Sequence, residues 1–265
     1  MRRLRASLCG ALLALLPAVA GAQTAPAPLA ETFEIGLSTE TISVGTNFGG
    51  SRLVVFGALD NADQRLLRQG RYDIVVILEG PRRDIVVREK ERTLGIWINR
   101  GAERFNAVPS SYTLVSTRPL RDIAPATTLR QLDIGVENLE FDAPSLRTVR
   151  PERKAEFSEA VKRLGEQGRA FSQSSGGIEF VSATLFRANL QLSGDLPVGR
   201  HVARAILFRE GVFVRERSED LWVVKTGIES QISRFAATDG FFYGLLAVAI
   251  AVFTGWFGRL VFKRD

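Results

Sequence analysis

The 265-residue chain has one cysteine, Cys9, one histidine, His201, and one methionine, Met1. Cys9 belongs to an N-terminal apolar run, so the rest of the chain carries no thiol. That excludes disulfides, thiolate catalysis and cysteine-based metal sites from the folded part. A lone histidine cannot build a multi-histidine metal centre, and no spacing ties a nucleophile to it. His201 is therefore expected to be structural. HExxH, P-loop, GxSxG and dinucleotide-binding patterns are missing too, and the acidic residues are scattered. The chain is expected to be non-enzymatic, with no cofactor and no metal.

It also lacks a basic field, despite a formal net charge of +6. Arg2, Arg3 and Arg5 supply half of that charge, and residues 234–265 carry a net +2. Residues 23–233 are left with only +1, too little to attract a polyanion, so no nucleic-acid partner is expected. The positive excess belongs to the two ends.

At the first end, the arginines precede an apolar run over 8–20. Ala20-Gly21-Ala22 then gives the small-x-small pattern of a signal-peptidase site. Residues 1–22 read as a signal peptide cleaved after Ala22, and the run is short for a bilayer of roughly 30 Å. At the other end, residues 241–257 carry no charge and the apolar character continues to Phe262. At about 1.5 Å per residue this segment spans a bilayer. Phe241, Phe242 and Tyr243 mark one interface, and Trp256 and Phe257 the other. Arg259 can snorkel, and Lys263 and Arg264 mark the cytoplasmic side. The expected topology is one inner-membrane span over 240–262, a tail at 263–265, and the remainder in the periplasm.

Between the ends, 23–32 is an Ala/Pro-rich flexible lead-in. Short strands follow at 33–37, 52–56 (after Gly49-Gly50), 72–78, 85–87 and 95–99, with a strand or loop at 110–116. From Pro151 the period changes: Phe157, Ala160, Val161 and Leu164 mark one amphipathic helix ending near Gly168. Residues 172–177 read as a polar loop. Strands resume at 178–181, 185–192, 201–208, 212–214 and 221–224. The hairpins starting at Gly70 and Gly199 look alike. The segment 195–199 resembles the corner before a late strand of immunoglobulin-like sandwiches, with His201 in the place of the usual Tyr. The fold class is therefore mainly β: two immunoglobulin-like β-sandwich modules, 33–147 and 148–226, the second including the helix. An amphipathic juxtamembrane helix over 227–239, marked by Ile228, Ile232 and Phe235, leads to the transmembrane helix.

Two features are candidate contacts. Gly240, Gly244, Ala247, Ala251, Gly255 and Gly258 form a stripe of small residues on the membrane helix, the pattern that lets another helix approach closely. Arg82 and Arg83, with Arg88, Lys90 and Arg92 nearby, could take a small anion, although the interleaved Asp84, Glu89 and Glu91 equally fit a solvated, charge-protected edge strand. Trp97, Phe105 and Tyr112 are expected in the core rather than in a pocket.

The chain resembles the alphaproteobacterial "putative transmembrane protein" family over nearly its whole length after the signal. The resemblance rests on Val55-Phe-Gly-Ala58, Asp73-Ile-Val-Val76 with Gly80-Pro81, Gly95-Ile-Trp-Ile-Asn99, Val108-Pro-Ser-Ser-Tyr112, Leu185-Phe-Arg-Ala188, Pro197-Val-Gly199, Leu207-Phe-Arg-Glu-Gly211, Lys225-Thr-Gly-Ile-Glu229, Tyr243-Gly-Leu and Thr254-Gly-Trp256. His201 stands where it implies a Tyr. No catalytic residues carry over. The resemblance implies association, by gene neighbourhood, with permeases like sulfite or organosulfonate exporters. The expected function is a non-enzymatic periplasmic accessory protein docked on such a permease. The alternative is a stand-alone, homodimeric envelope module that binds a small ligand or another envelope protein.

Overall fold

The apolar run at 72–78 sets the architecture. The computed structural model describes residues 31–46, 48–144, 151–226 and 235–261. There the run forms β4 (Tyr72–Glu79), in which every residue is buried. A strand apolar at consecutive positions must be covered on both faces. Ile74, Val76 and Leu78 enter one core, and Val75 and Ile77 enter a second.

β4 lies inside a six-stranded sheet in which β2 (Thr41–Val44), β12 (Val212–Lys225), β11 (Gly199–Arg209), β4, β7 (Tyr112–Ser116) and β8 (Phe171–Ser175) are neighbours in that order. β2 runs parallel to β12, and β8 parallel to β7; the other pairs are antiparallel. A four-stranded sheet covers the first face, in the order β1 (Thr32–Leu37), β3 (Ser51–Asp60), β10 (Leu185–Leu192), β9 (Ile178–Phe180). Phe33, Leu53, Val55, Phe186 and Leu190 fill the space between the two sheets. The second core is capped by short helices α2 (Leu120–Ile123) and α3 (Ala126–Gln131), a 3-10 turn at Val136–Asn138, and the longer helix α4 (Pro151–Gln167). A further short helix, α1 (Gln64–Arg68), is capped by Asp63.

The protein is mainly β, as its alternating runs indicate. The strands of 33–147 and 148–226, expected to form two modules, interleave in shared sheets: β3 pairs with β10, and β4 with β11. The two similar hairpins thus supply adjacent strands of one sheet. Three local readings change for physical reasons. Residues 172–177 are not simply a loop, because β8 hydrogen-bonds to β7 from Phe171 to Ser175; its polar side chains suit a sheet edge. The expected breaks around 215–220 are absent, and β12 is continuous. Its charged stretch is tied by ion pairs, Arg204 Nε to Glu216 at 2.8 Å and Arg200 Nε to Asp220 at 2.9 Å. The strand at 95–99 belongs to a much longer β6 (Ile96–Pro109), which pairs with β5 (Arg82–Thr93) as a separate two-stranded sheet.

One buried carboxylate is reconciled with the apolar interior by its partners. Asp73 accepts from Thr117 Oγ1 and Arg118 Nε, each at 2.8 Å. His201 is fully buried and points into the first core's end of the sheet, with Nδ1 donating to the Gly199 carbonyl at 3.2 Å. Burial holds its imidazole below the ordinary value, partly offset by that hydrogen bond. The unfolded chain therefore binds a proton at about pH 6.5 while the folded chain does not. Stability falls as pH drops through about 6.5 and levels only below the folded value. Replacing His201 with Phe should shrink the loss of thermal midpoint between about pH 7 and about pH 5. A loss as large as in the parent chain would assign the pH dependence to other groups.

Helix α5 (Gly240–Val261) closes the described chain. Within it, Gly240–Arg259 is long and apolar enough to cross a membrane, and no part of that window is buried by the rest of the protein. Of the helix expected over 227–239, Ile228 and Ile232 lie outside the described residues. Residues 235–238 are helical, and the Phe235 ring packs edge-on to Tyr243 with centroids 6.2 Å apart. The signal-peptide segment and the cytoplasmic tail also lie outside the described residues.

Candidate functional site

β9 is short. It pairs with β10 only from Phe186 to Ala188, and past the Asn189 N–H bond to the Gly177 carbonyl at 2.9 Å the edge of β10 is open. Opposite stands the β7–β8 end of the six-stranded sheet. Between them lies a cleft of ≈ 570 Å³, within the range of small-molecule sites. Thr113 and Val115 of β7, Ser172 and Ser174 of β8, and Asn189 and Gln191 of β10 line it. The loop through Asp195, Leu196 and Pro197 and the end of α4 at Glu166 complete its walls. Hydroxyls and amides dominate, and Glu166, Arg169 and Asp195 together leave one negative charge.

Ser110 and Ser111 also line this cleft. Both are more than nine-tenths buried, and neither hydroxyl has a hydrogen-bond partner among the described residues. An unmatched buried hydroxyl costs about 1–3 kcal/mol, so each is primed to bond a polar guest. The backbone explains their placement. Gly80 N–H donates to the Ser111 carbonyl at 2.9 Å, and Ser110 N–H to the Pro81 carbonyl at 3.0 Å. This clamps the β4–β5 turn onto the strand that carries the serines. A Cβ on Gly80 would stand 2.3 Å from Ser111 Oγ, so only glycine leaves room for that hydroxyl. Register places Ser111, Gly80 and His201 in one cross-strand row, because Glu79 faces both Tyr112 and Val202. Residues opposed in a sheet share a face. His201 Nε2 is a third buried polar atom without a partner among the described residues.

Sequence reasoning missed these serines because single hydroxyl residues carry no periodic signal. The one available clue was Val108-Pro-Ser-Ser-Tyr112, two adjacent serines between a proline and a residue of the core. Tyr112 is fully buried and accepts from Gly135 N–H at 3.0 Å; burial pushes its phenol well above the usual value. Phe105 is buried as well, in agreement with the core reading, but Trp97 is 66% exposed.

The two candidate contacts fall elsewhere. Arg82 donates to Glu79 Oε2 at 3.0 Å and to the Ala107 carbonyl at 3.4 Å. Arg83 follows it on β5, and neighbouring strand residues point to opposite faces, so the two guanidinium groups do not converge. On α5, a Cβ built on Gly240, Gly244, Gly255 or Gly258 meets no atom within 4 Å. Ala247 and Ala251 are exposed as well. At about 100° per residue the six positions stay within roughly 80° of the helix circumference. They form one smooth face that touches no other described part of the chain.

Comparison with known proteins follows this geometry. The family described as "Putative transmembrane protein (Alph_Pro_TM)" matches residues 32–264. No curated protein matches the sequence. Among solved structures, the chain is similar to AggA, the major subunit of aggregative adherence fimbriae type I from Escherichia coli, at 8% identity and a TM-score of 0.26, covering 74% of this chain and 95% of that one. A likeness at that level carries no functional argument. With the family match, the apolar α5 makes this a membrane-anchored protein.

Proposed function

The chain belongs to the Alph_Pro_TM family of transmembrane proteins, and from that premise we propose that it is a non-enzymatic accessory subunit of the inner membrane with its β domain in the periplasm. In this reading residues 1–22 direct export and are removed, and α5 packs against a polytopic permease. The β domain offers its hydroxyl-lined cleft to a small polar solute near the permease mouth. The partner class, a permease like the sulfite or organosulfonate exporters, comes from the family resemblance. The observation that carries the proposal is the uninterrupted open face of small residues on α5, along which nothing among the described residues obstructs a second helix. Inside lipid, association depends on such close packing, because burial of apolar surface offers no advantage there.

The test is co-purification from native membranes. Gly244→Leu with Ala251→Leu places two bulky side chains on that face and should abolish recovery of the permease while leaving membrane insertion intact. Unchanged recovery removes the proposal. The same stripe supports a second reading, a homodimeric envelope module. Crosslinking the chain in cells without the permease separates the two, since a dimer formed there depends on the stripe alone. A reporter fused after Asp265 tests the topology and should be active only in the cytoplasm.

A further inference from the structure

The β5–β6 hairpin is an arm. Its base is buried through Val87, Phe105 and Val108 in the second core. Arg153 of α4 braces it, 3.5 Å from Glu89 Oε2 and 3.6 Å from Glu103 Oε1. Beyond Arg88 the ladder continues to the turn at Leu94-Gly95, about 20 Å at ~3.3 Å per residue. There it ends in the wrong chemistry for a free loop. Leu94 is 98% exposed, Ile96 67% and Ile98 44%, and Trp97 stands among them. Register puts Trp97 on one face of the ribbon and Ile96 and Ile98 on the other, with Leu94 at the turn, so the tip is apolar on both faces. The turn has positive φ at both central residues, 51° at Leu94 and 87° at Gly95. Asn or Asp is the usual first residue of such a turn. Leucine is strained in this left-handed backbone conformation and exposes its whole side chain.

The cations stand behind the apolar tip. Pairing sets Lys90 beside Asn99 and Arg92 beside Trp97, so Lys90, Arg92 and Trp97 share one face. Glu91 is paired with Arg100 and Glu89 with Arg153. Arg88, Lys90 and Arg92 have no carboxylate partner among the described residues. An apolar tip with tryptophan, backed by unpaired Lys and Arg, is the composition of a membrane interface anchor. A bilayer is also within reach. Only residues 226–239 separate the end of β12 from α5, a tether of at most about 50 Å.

We infer that the tip at Leu94, Ile96, Trp97 and Ile98 enters the interfacial layer of the bilayer that holds α5, with Lys90 and Arg92 against anionic headgroups. The chain then has a second, reversible membrane contact besides its span. This stands independently of any permease.

The experiment uses the full chain carrying Cys9→Ser and Leu94→Cys, labelled with an environment-sensitive fluorophore. It is reconstituted alone, through α5, into vesicles of phosphatidylcholine and phosphatidylglycerol. Leu94 makes no packing contact to lose. The emission should shift to the blue and be lost to a quencher carried on lipid tails. The same label at the exposed Thr127 (Thr127→Cys) should stay water-like. Lys90→Glu with Arg92→Glu should lower the ratio of shielded to exposed label by about fivefold for each cation removed. A Leu94 label as wet as that at Thr127 overturns the inference. So does shielding that rises with protein density but escapes the lipid quencher, which would assign the tip to a second copy. Shielding found only in native membranes would assign it to another protein and equally overturn it.

Discussion

Phe186→Ala should cost about 3–5 kcal/mol, among the largest losses expected of a side-chain truncation in the sandwich. Phe186 is fully buried and stacks on Phe33 with centroids 5.7 Å apart, while Phe180 meets its edge at 6.5 Å. Register sets it opposite Gly57 of β3, and the ring fills the space a side chain there would need. A Cβ on Gly57 would stand 2.1 Å from the Phe186 ring and 2.9 Å from the Glu34 carbonyl oxygen. The ring cannot retreat, since Phe33 lies behind it. Gly57→Ala should therefore be destabilising as well, by overpacking. The double variant is the decisive measurement. The added methyl then occupies part of the cavity left by the ring, so the combined loss should be smaller than the sum of the single losses. Denaturant midpoints of the four chains give the coupling. Simple additivity would mean that glycine and ring do not share that space.

Arg204→Met should come next, toward the lower end of the roughly 3–5 kcal/mol of a buried pair broken from one side, because Arg82 still faces Glu79. Arg204 joins β11 to both neighbouring strands, with Nη1 to Glu79 at 3.3 Å and Nε to Glu216 at 2.8 Å. Nη2 also donates to the Leu132 carbonyl at 3.3 Å, which fixes the end of α3 on the sheet. Glu79 is nine-tenths buried, so losing the guanidinium leaves its charge with only the more exposed Arg82, 3.0 Å from Oε2, as partner. Removing that charge too, in Arg204→Met with Glu79→Leu, should recover a large part of the loss. If the double variant is as unstable as the single one, the contribution lies in the packing of the Arg204 stem and its carbonyl contact.

What the sequence revealed and what it concealed divide along physical lines. Strands with a clear period were legible. Phe33, Ile35 and Leu37 alternate, and the solid apolar run of β4 announced a strand covered on both faces. Helix α4 was legible from its period and from Pro151. Short helices escaped, because the four residues of α2 and six of α3 are too few to display a helical period. Pairing between distant strands also escaped. The likeness of the two hairpins pointed to repetition, but a hairpin's local pattern is silent about which strand lies beside it. The hairpin arm was split for a related reason. Its outer half is exposed on both faces, so the charged and apolar residues of β5 and β6 follow no burial pattern. Trp97 was placed in the core on composition, although its neighbours Lys90, Arg92 and Asn99 are those of a solvated strand. The cleft depends on where β9 stops and where the β4–β5 turn is clamped, and both are tertiary facts.

The pairing of β2 with β12 has a consequence for assembly. Thr41 is matched to Trp222 and Val44 to Lys225, so the first strand of the central sheet has no neighbour there until the last strand is complete. Closing such a long loop is slow, since its entropy must be surrendered before any contact rewards it. A chain emerging from its N-terminus would remain open until nearly everything before the anchor had been delivered, with the apolar run of β4 exposed meanwhile. The time between synthesis and closure is then the protein's most vulnerable stage, and a holding chaperone would act there.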